Sequence, residues 1–270
     1  SFKYRPAGAA QYGLAISNFD QGSAKRFNFG FIASSDNHRA RPGTGYKEID
    51  RFVTTEANGP SNEIVADILY PMDEPIDRSI DLRAQPLLGL RAGFGAFEAE
   101  REASFFTTGG LAAVHSKARD RNSIWEGLTK KETYGTSGDR ILLWFDLIRE
   151  NSIFPMGSTT SQTQNPVFRV KAVGAFEQKP GCPDYSSTNI TDEEIERICK
   201  NECYNPSDKR KNISRIEVIK ITPQKSPEES VDDLIFDVWK SFDCKPSQQG
   251  CQFEFTDDEF SKQSRDSIYY

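Results

Sequence analysis

The chain has 270 residues, enough for one large domain or two small ones with a buried core. Hydrophobic residues make up 36% and charged residues 27%, with 19 Phe and 9 Tyr, a composition that excludes a disordered chain. The net charge of −6 argues against general binding to nucleic acid, and no apolar run reaches the ~20 residues needed to cross a bilayer.

An apolar strand is predicted at residues 27–33. The polar run SSDNH at residues 34–38 follows it at once and would lie at the carboxyl end of that strand, where α/β enzymes hold their sites. Residues 39–62 are rich in Gly and Pro and predict a loop, whereas residues 63–104 give no clear pattern.

A strand, a helix and a further strand are predicted next, at residues 110–115, 120–131 and 140–147. The helix has an apolar face that should pack on a sheet, formed by Ile124, Trp125 and Leu128. A loop should separate the helix from the last strand. The glycine pair that opens the first of these strands would let another backbone or an anion approach closely. This order of elements indicates a βα unit of a parallel sheet or barrel.

After about residue 150 the pattern changes to strands with one polar face. Val167–Val173 and Arg215–Ile221 alternate between polar and apolar side chains, as strands of an antiparallel sheet do. A short acidic helix predicted at residues 191–200 begins with the capping-box pattern T-x-x-E. We therefore expect residues 1–150 to form part of a barrel and residues 151–270 to form an attached β-rich region.

Five cysteines lie in the last third of the chain, and no histidine lies beyond position 115, which argues against a zinc site of Cys and His ligands. Disulfides of an oxidising compartment are favoured over buried thiols. Cys244 and Cys251 flank a turn-forming loop and are expected to pair with each other. Cys182 should pair with Cys199 or Cys203, because all three flank the acidic helix. The cysteine that is left over would need a partner outside the chain.

Asp36 and His38 form the strongest candidate site. A carboxylate and an imidazole two residues apart in an extended loop can reach one metal ion. The alternative is that Asp36 only stabilises a turn among Ser and Asn neighbours. His115, at the end of the second strand, could be a metal ligand or a general acid–base group, or a half-buried histidine with one satisfied nitrogen.

Two blocks of the sequence resemble the PHP (polymerase and histidinol phosphatase) superfamily of metal-dependent hydrolases. They are FGFIASSDNHRARPGTGYKE and GGLAAVHSKARDRNSIWEGLTKKETYGTSGDRILLWF. Both are similar, in order and spacing, to a large, secreted-looking branch of that superfamily whose domain has no known function. Residues 199–223 and 237–255 resemble the tail of that branch, so the resemblance covers most of the chain, and residues 63–100 are its poorest part.

The resemblance implies an α/β fold, the carboxyl-terminal part of a distorted (β/α)7 barrel that holds divalent metal ions (zinc, manganese or iron) at its strand ends. Asp36 and His38 match the late Asp-x-His ligand pair of the superfamily. The earlier ligands have no match and would lie in a missing amino-terminal half of the same polypeptide. Arg39 and Arg41 could attract a small anionic substrate such as a phosphate ester, or could simply be solvated. Arg140 matches a family position and is a candidate for substrate binding.

The sequence therefore predicts a metal-dependent hydrolase of the phosphoesterase type, periplasmic or extracellular, with a small anionic substrate. The alternative is a catalytically inactive scaffold of the same fold that has a structural or interaction role outside the cytoplasm. A carbohydrate-binding module in the β-rich region, resting on exposure of Trp239 or Tyr204, is the third and weakest idea.

Overall fold

The computed structural model describes residues 9–20, 22–34, 110–150, 152–199 and 203–270. Within these residues, two antiparallel sheets of four and three strands face each other across an apolar core, and three two-stranded ribbons complete the strand pairing. The architecture is that of a β-sandwich with helices at its margins.

The strands are numbered in chain order. They are β1 (Ser17–Asn18), β2 (Lys25–Arg26), β3 (Leu111–Val114), β4 (Thr133–Thr136), β5 (Leu142–Arg149), β6 (Ser152–Phe154), β7 (Val167–Val173), β8 (Phe176–Gln178), β9 (Pro206–Arg210), β10 (Arg215–Ile221), β11 (Ile235–Asp243), β12 (Cys251–Thr256) and β13 (Ile268–Tyr269). The α-helices are α1 (Ala10–Ala15), α2 (Arg121–Thr129) and α3 (Asp192–Cys199). Short 3₁₀ helices lie at Asp184–Thr188, Val231–Leu234 and Phe260–Lys262.

The larger sheet has the strand order β12-β7-β5-β6, and all its pairings are antiparallel. In β7 the side chains of Phe168, Val170 and Ala172 are buried, and the residues between them point to the other face of the sheet. Phe255 on β12 lies opposite Phe168 and adds its ring to the same core. The alternation seen in the sequence therefore corresponds to one core face and one polar face.

The smaller sheet has the order β11-β10-β13. Ile216 and Val218 of β10 point into the core between the sheets. Ile221 has an odd residue number, so its side chain points to the other face of the strand, where it is fully buried. There it meets Leu14 and Ala15 of α1. The smaller sheet is thus covered on both faces, by the larger sheet and by α1.

Helix α2 and the β3–β4 ribbon form a unit beside the sandwich. Asp120 caps the helix, because its carboxylate accepts hydrogen bonds from the Ser123 backbone N (2.9 Å) and hydroxyl (2.7 Å). β3 and β4 pair antiparallel along their whole length. The loop that the sequence predicted between the helix and the next strand is thus occupied by β4.

The expected (β/α)7 barrel is wrong. Among the described residues every strand pair is antiparallel and no set of strands closes into a barrel. The predicted βα unit failed because a helix between two strands does not fix the direction of pairing. The strand that follows α2 most closely is β4, which folds back onto β3. The next strand, β5, pairs with β7 and β6 instead.

Two further expectations are corrected. No regular strand forms at residues 27–33, and the nearest strand is β2, at Lys25–Arg26. Trp125 does not pack on a sheet, because 69% of it is exposed, and Leu128 on the same helix is exposed as well. Helix α2 instead approaches the ribbon through Gly127, where an added Cβ would lie 2.4 Å from the backbone oxygen of His115.

The two predicted disulfides are confirmed, and a partner outside the chain for the remaining cysteine stays a prediction. Cys244–Cys251 and Cys182–Cys203 are disulfides with S–S distances of 1.95 and 2.00 Å. The capping box of α3 also forms: the Glu194 N donates to the Thr191 hydroxyl (3.3 Å), and the Thr191 N donates to the Glu194 carboxylate (3.4 Å). Two disulfides are consistent with an oxidising location outside the cytoplasm.

The domain division near residue 150 stays a prediction, although β5 and β7, on either side of it, belong to one sheet. None of the helices in the described ranges is both long and apolar enough to cross a membrane.

Candidate functional site

The chain that leads to the SSDNH run is seated on the β3–β4 ribbon. The Gly110 N donates a hydrogen bond to the Ser34 carbonyl oxygen (3.0 Å). A Cβ added at Gly110 would lie 2.8 Å from the Ala33 Cβ, and one added at Gly135 would lie 2.7 Å from it. Both glycines are therefore needed for backbone to approach this closely, which gives the glycine at position 110 a packing role.

Further contacts hold the same segment along β4. Lys131 Nζ donates to the side-chain oxygen of Asn28 (2.8 Å), and the position of a Cβ on Gly30 would be 3.0 Å from the Lys131 Cβ. The segment from Asn28 to Ser34 is thus fixed at both ends. Ser34 is the first residue of the candidate motif. The other residues of the predicted site, Asp36, His38, Arg39 and Arg41, lie outside the described residues.

His115 lies at the end of β3, half-buried between the ribbon and β5. Its Nε2 lies 2.8 Å from the Leu143 carbonyl oxygen, and because a carbonyl only accepts, Nε2 carries a proton. The ring packs near Tyr134 (5.7 Å between centroids) and Trp144 (6.0 Å). Its backbone N donates to the Glu132 carbonyl oxygen (2.8 Å). The Nε2 of His115 therefore forms a hydrogen bond within the fold. The role of His115 in catalysis stays a prediction.

A group of charged side chains extends from His115 across the outer face of the larger sheet. In the register of the sheet, Asp146 lies opposite Arg169, which in turn lies opposite Glu254 and forms an ion pair with it (2.8 Å). Lys171 lies over the ring of Trp144 (5.4 Å). Burial raises the pKa of Asp146, and the charges of Arg169 and His115 act against that rise. Charged side chains therefore cover this face, and the sequence reasoning did not identify it.

Arg140 lies before β5 and stacks on the ring of Tyr204, with 3.6 Å between Cζ and the ring centroid. The contact joins the region of the second sequence block to the disulfide-linked region. A role of Arg140 in substrate binding stays a prediction. Trp239 is half-buried against Phe255 and Tyr269, so it is not the exposed aromatic that a carbohydrate site would need.

A buried ionic cluster lies in the core between the sheets. Lys220 Nζ donates to Asp257 Oδ2 at 2.5 Å, and the exposed fractions of the two side chains are 4% and 2%. The Tyr269 hydroxyl donates to the same oxygen (2.6 Å). Burial raises the pKa of Asp257, but the hydrogen bonds from Lys220 and Tyr269 outweigh it and hold that pKa below its usual value. Burial and the bond to Asp257 raise the pKa of Tyr269 above its usual value.

The alternation in β10 contains a sequence signal for this cluster that the sequence-based prediction did not use. In β10 the residues of even number point into the core, namely Ile216, Val218 and Lys220. A lysine in the apolar row of an alternating strand requires a buried acidic partner. The partner, Asp257, follows the last residue of β12, and nothing in its local sequence distinguishes it.

In the part of the chain that the structure describes, no group of three or more His, Cys, Asp or Glu side chains could hold a metal ion. The carboxylate of Asp36 and the imidazole of His38 are donors that suit zinc, manganese or iron.

Comparison with known protein families gives a match over the first part of the chain. The model of a family described as a protein of unknown function, DUF3604, matches residues 7–147, more than half of the sequence. The chain belongs to the DUF3604 family. No curated protein matches the chain, and no solved structure does. The family match ends within β5 and covers both the SSDNH run and the β3–β4 ribbon.

Proposed function

We propose that this member of the DUF3604 family is part of a metal-dependent hydrolase whose Asp36 and His38 bind a divalent metal ion. The observation that supports the proposal is the close backbone contact that Ala33 and Ser34 make with Gly110 and Gly135. A metal ligand pair needs a rigid supporting element, and this contact supplies one directly before the pair. The family match at residues 7–147 covers both the motif and the ribbon, which supports treating them together.

The donor set supports a divalent metal of the zinc, manganese or iron type. When bound, such an ion would supply an activated water and stabilise charge that develops in hydrolysis. Asp36 would contribute a hard anionic ligand and His38 a neutral nitrogen ligand. His38 and His115 are the two histidines of the chain, so ligands besides them and Asp36 would be other side-chain types or would come from outside it.

The other residues of the proposal act on the substrate. Arg39 and Arg41 follow the ligand pair in the sequence, and their charges would attract an anion such as a phosphate ester. Such a local positive charge is useful because the chain as a whole carries −6 and would repel an anion. The two disulfides support a periplasmic or extracellular location for the reaction.

The test measures bound metal and hydrolysis on the same samples. Purified full chain is analysed by elemental mass spectrometry, and its cleavage of 4-nitrophenyl phosphate is followed. We expect His38→Ala and Asp36→Asn to lose both metal and activity. The matched exposed variant Asp184→Asn should keep both.

His115→Ala separates two roles, because loss of activity with retained metal indicates a group that acts on the substrate. A His38→Ala protein with undiminished metal would overturn the ligand assignment. Wild-type protein that holds metal but cleaves no phosphate ester would leave the scaffold role as the better account.

A further inference from the structure

Lys220 and Asp257 come from the two facing sheets of the sandwich. Lys220 lies on β10 in the row of core-facing residues, and Asp257 follows the end of β12 in the other sheet. Their side chains meet across the core with 2.5 Å between Nζ and Oδ2. The Asp257 Cγ is only one carbon–oxygen bond further away. The amine therefore lies close to the carboxyl carbon that it would attack.

Aromatic rings enclose this contact. Lys220 Nζ lies 5.4 Å from the Trp239 ring centroid and 5.9 Å from that of Tyr269. The Trp239 ring is 6.1 Å from that of Phe255, which closes the apolar side of the enclosure. An ion pair in such surroundings loses the hydration of both charges. Joining the two groups by an amide would remove both charges and keep Oδ1 as the acceptor of the Glu259 backbone N–H.

Two donors polarise the carboxyl group of Asp257. The Tyr269 hydroxyl donates to Oδ2 (2.6 Å), and the Glu259 backbone N donates to Oδ1 (3.2 Å). Donors on both oxygens withdraw electron density from Cγ and stabilise the negative charge that develops when an amine adds to it. Tyr269 keeps its proton in this site, because burial and the bond to Asp257 disfavour the phenolate.

We propose that Lys220 and Asp257 become joined by an intramolecular isopeptide bond between Nζ and Cγ. The ion pair is the resting state, since the pKa of Asp257 is held below its usual value, and the reaction starts from the minor form in which Lys220 has passed one proton to Oδ2 along the existing hydrogen bond. That form holds a neutral amine and a carboxylic acid. The amine attacks Cγ, the Nζ–Cγ bond forms, and the Cγ–Oδ2 bond breaks. Oδ2 leaves as water with the transferred proton and a second proton from Nζ. The step needs no oxidant and no further reactant.

The bond would connect the two sheets covalently. The residues that it joins are 37 apart in the sequence, and the Cys244–Cys251 disulfide lies inside that loop. Both cross-links would hold β12 in place, one at each end of the strand. A sandwich tied in this way would resist mechanical and thermal opening even after reduction of the Cys244–Cys251 disulfide. This inference is independent of the proposed hydrolase activity.

The mass of the intact chain tests the proposal. Full-length protein is denatured and reduced, and its mass is compared with that calculated from the sequence. We expect a deficit of one water molecule in wild type and the full mass in Lys220→Met and Asp257→Ala. Digestion with trypsin should leave Lys220 uncleaved and yield one branched peptide that contains both residues.

Tyr269→Phe provides a test of the assisting donor, and it should lower the cross-linked fraction. If the variants at Lys220 fold poorly, the branched peptide from wild type decides the question alone. Wild-type protein of full mass, with Lys220 open to trypsin and to acetylation after denaturation, would overturn the proposal. A water deficit that maps to another pair of residues would overturn it as well.

Discussion

Substitution of Gly135 by Ala tests how firmly the chain before the candidate motif is seated on the ribbon. The added Cβ would lie 2.7 Å from the Ala33 Cβ and 3.3 Å from the Ala33 N, whereas carbon atoms prefer separations of about 3.5–4.0 Å. Overpacking of this kind costs about 1–3 kcal/mol. Relief of the entropy cost of a strand glycine returns roughly 0.5–1 kcal/mol. The difference lies at about 0–2.5 kcal/mol, and we expect a net loss of about 1 kcal/mol in the free energy of unfolding.

The second variant makes the test specific to this contact. Ala33→Gly removes the atom that the new Cβ would strike, so Gly135→Ala should cost little in that background. The double-mutant cycle, measured by urea denaturation, should give a coupling energy of at least about 1 kcal/mol. Gly13→Ala is the control, because its Cβ would meet the Phe29 ring at an ordinary 3.7 Å, and it should stabilise α1 by up to about 1 kcal/mol. Effects at Gly135 and Ala33 that simply add, within about 0.3–0.5 kcal/mol, would refute the proposed seating.

Three other predictions concern the sandwich and its margins. Replacement of Cys244 and Cys251 by Ser should lower the free energy of unfolding by about 2–3 kcal/mol, because the short loop is no longer closed in the unfolded chain; an unchanged denaturation midpoint would contradict this. The hydrogen bonds from Arg265 and from the Lys225 backbone lower the pKa of Glu229 to about 2. Its stabilising effect should therefore be full above the unfolded-state pKa of about 4.3 and disappear as the pH falls through about 2, so wild type and Glu229→Gln should differ at pH 7 and converge in acid. Trp125→Ala should change stability by less than about 0.5 kcal/mol, because 69% of that residue is exposed; a large loss in thermal denaturation would mean that the ring is covered.

Local signals in the sequence predicted several elements well. The alternation of Val167–Val173 and Arg215–Ile221 identified two strands with the observed bounds and one core-facing row each. The helix predicted at residues 120–131 forms as α2, and Asp120 caps it. The pairing of Cys244 with Cys251 followed from the short turn between them. In each case a few neighbouring residues determine the outcome.

Long-range features could not be predicted in the same way. The strand at residues 140–147 was expected beside a parallel neighbour, but β5 pairs antiparallel with β7, because the partner of an apolar strand is chosen by the whole sandwich. Trp125 and Leu128 share a helix face, yet α2 approaches the ribbon through Gly127. A periodic apolar face predicts burial only where an element is available to cover it.

The residues of the candidate site stay a prediction, and the structure describes only the chain that leads to them. The seating of the segment before Asp36 depends on the contact between Ala33 and two glycines that are far away in the sequence. Only the low side-chain volume of these three positions could have suggested it. The charged face around Asp146 and the buried pair formed by Lys220 were missed, since each depends on the register of strands that only the folded structure defines.

The most direct test of the metal-site proposal is an X-ray crystal structure of the metal-loaded protein, with data collected at the absorption edge of the bound metal. The proposal predicts an anomalous peak shared by the carboxylate of Asp36 and the imidazole of His38, close to the point where Ser34 meets Gly110. Side chains of Asp36 and His38 that point to opposite sides of the backbone, with no peak between them, would contradict it.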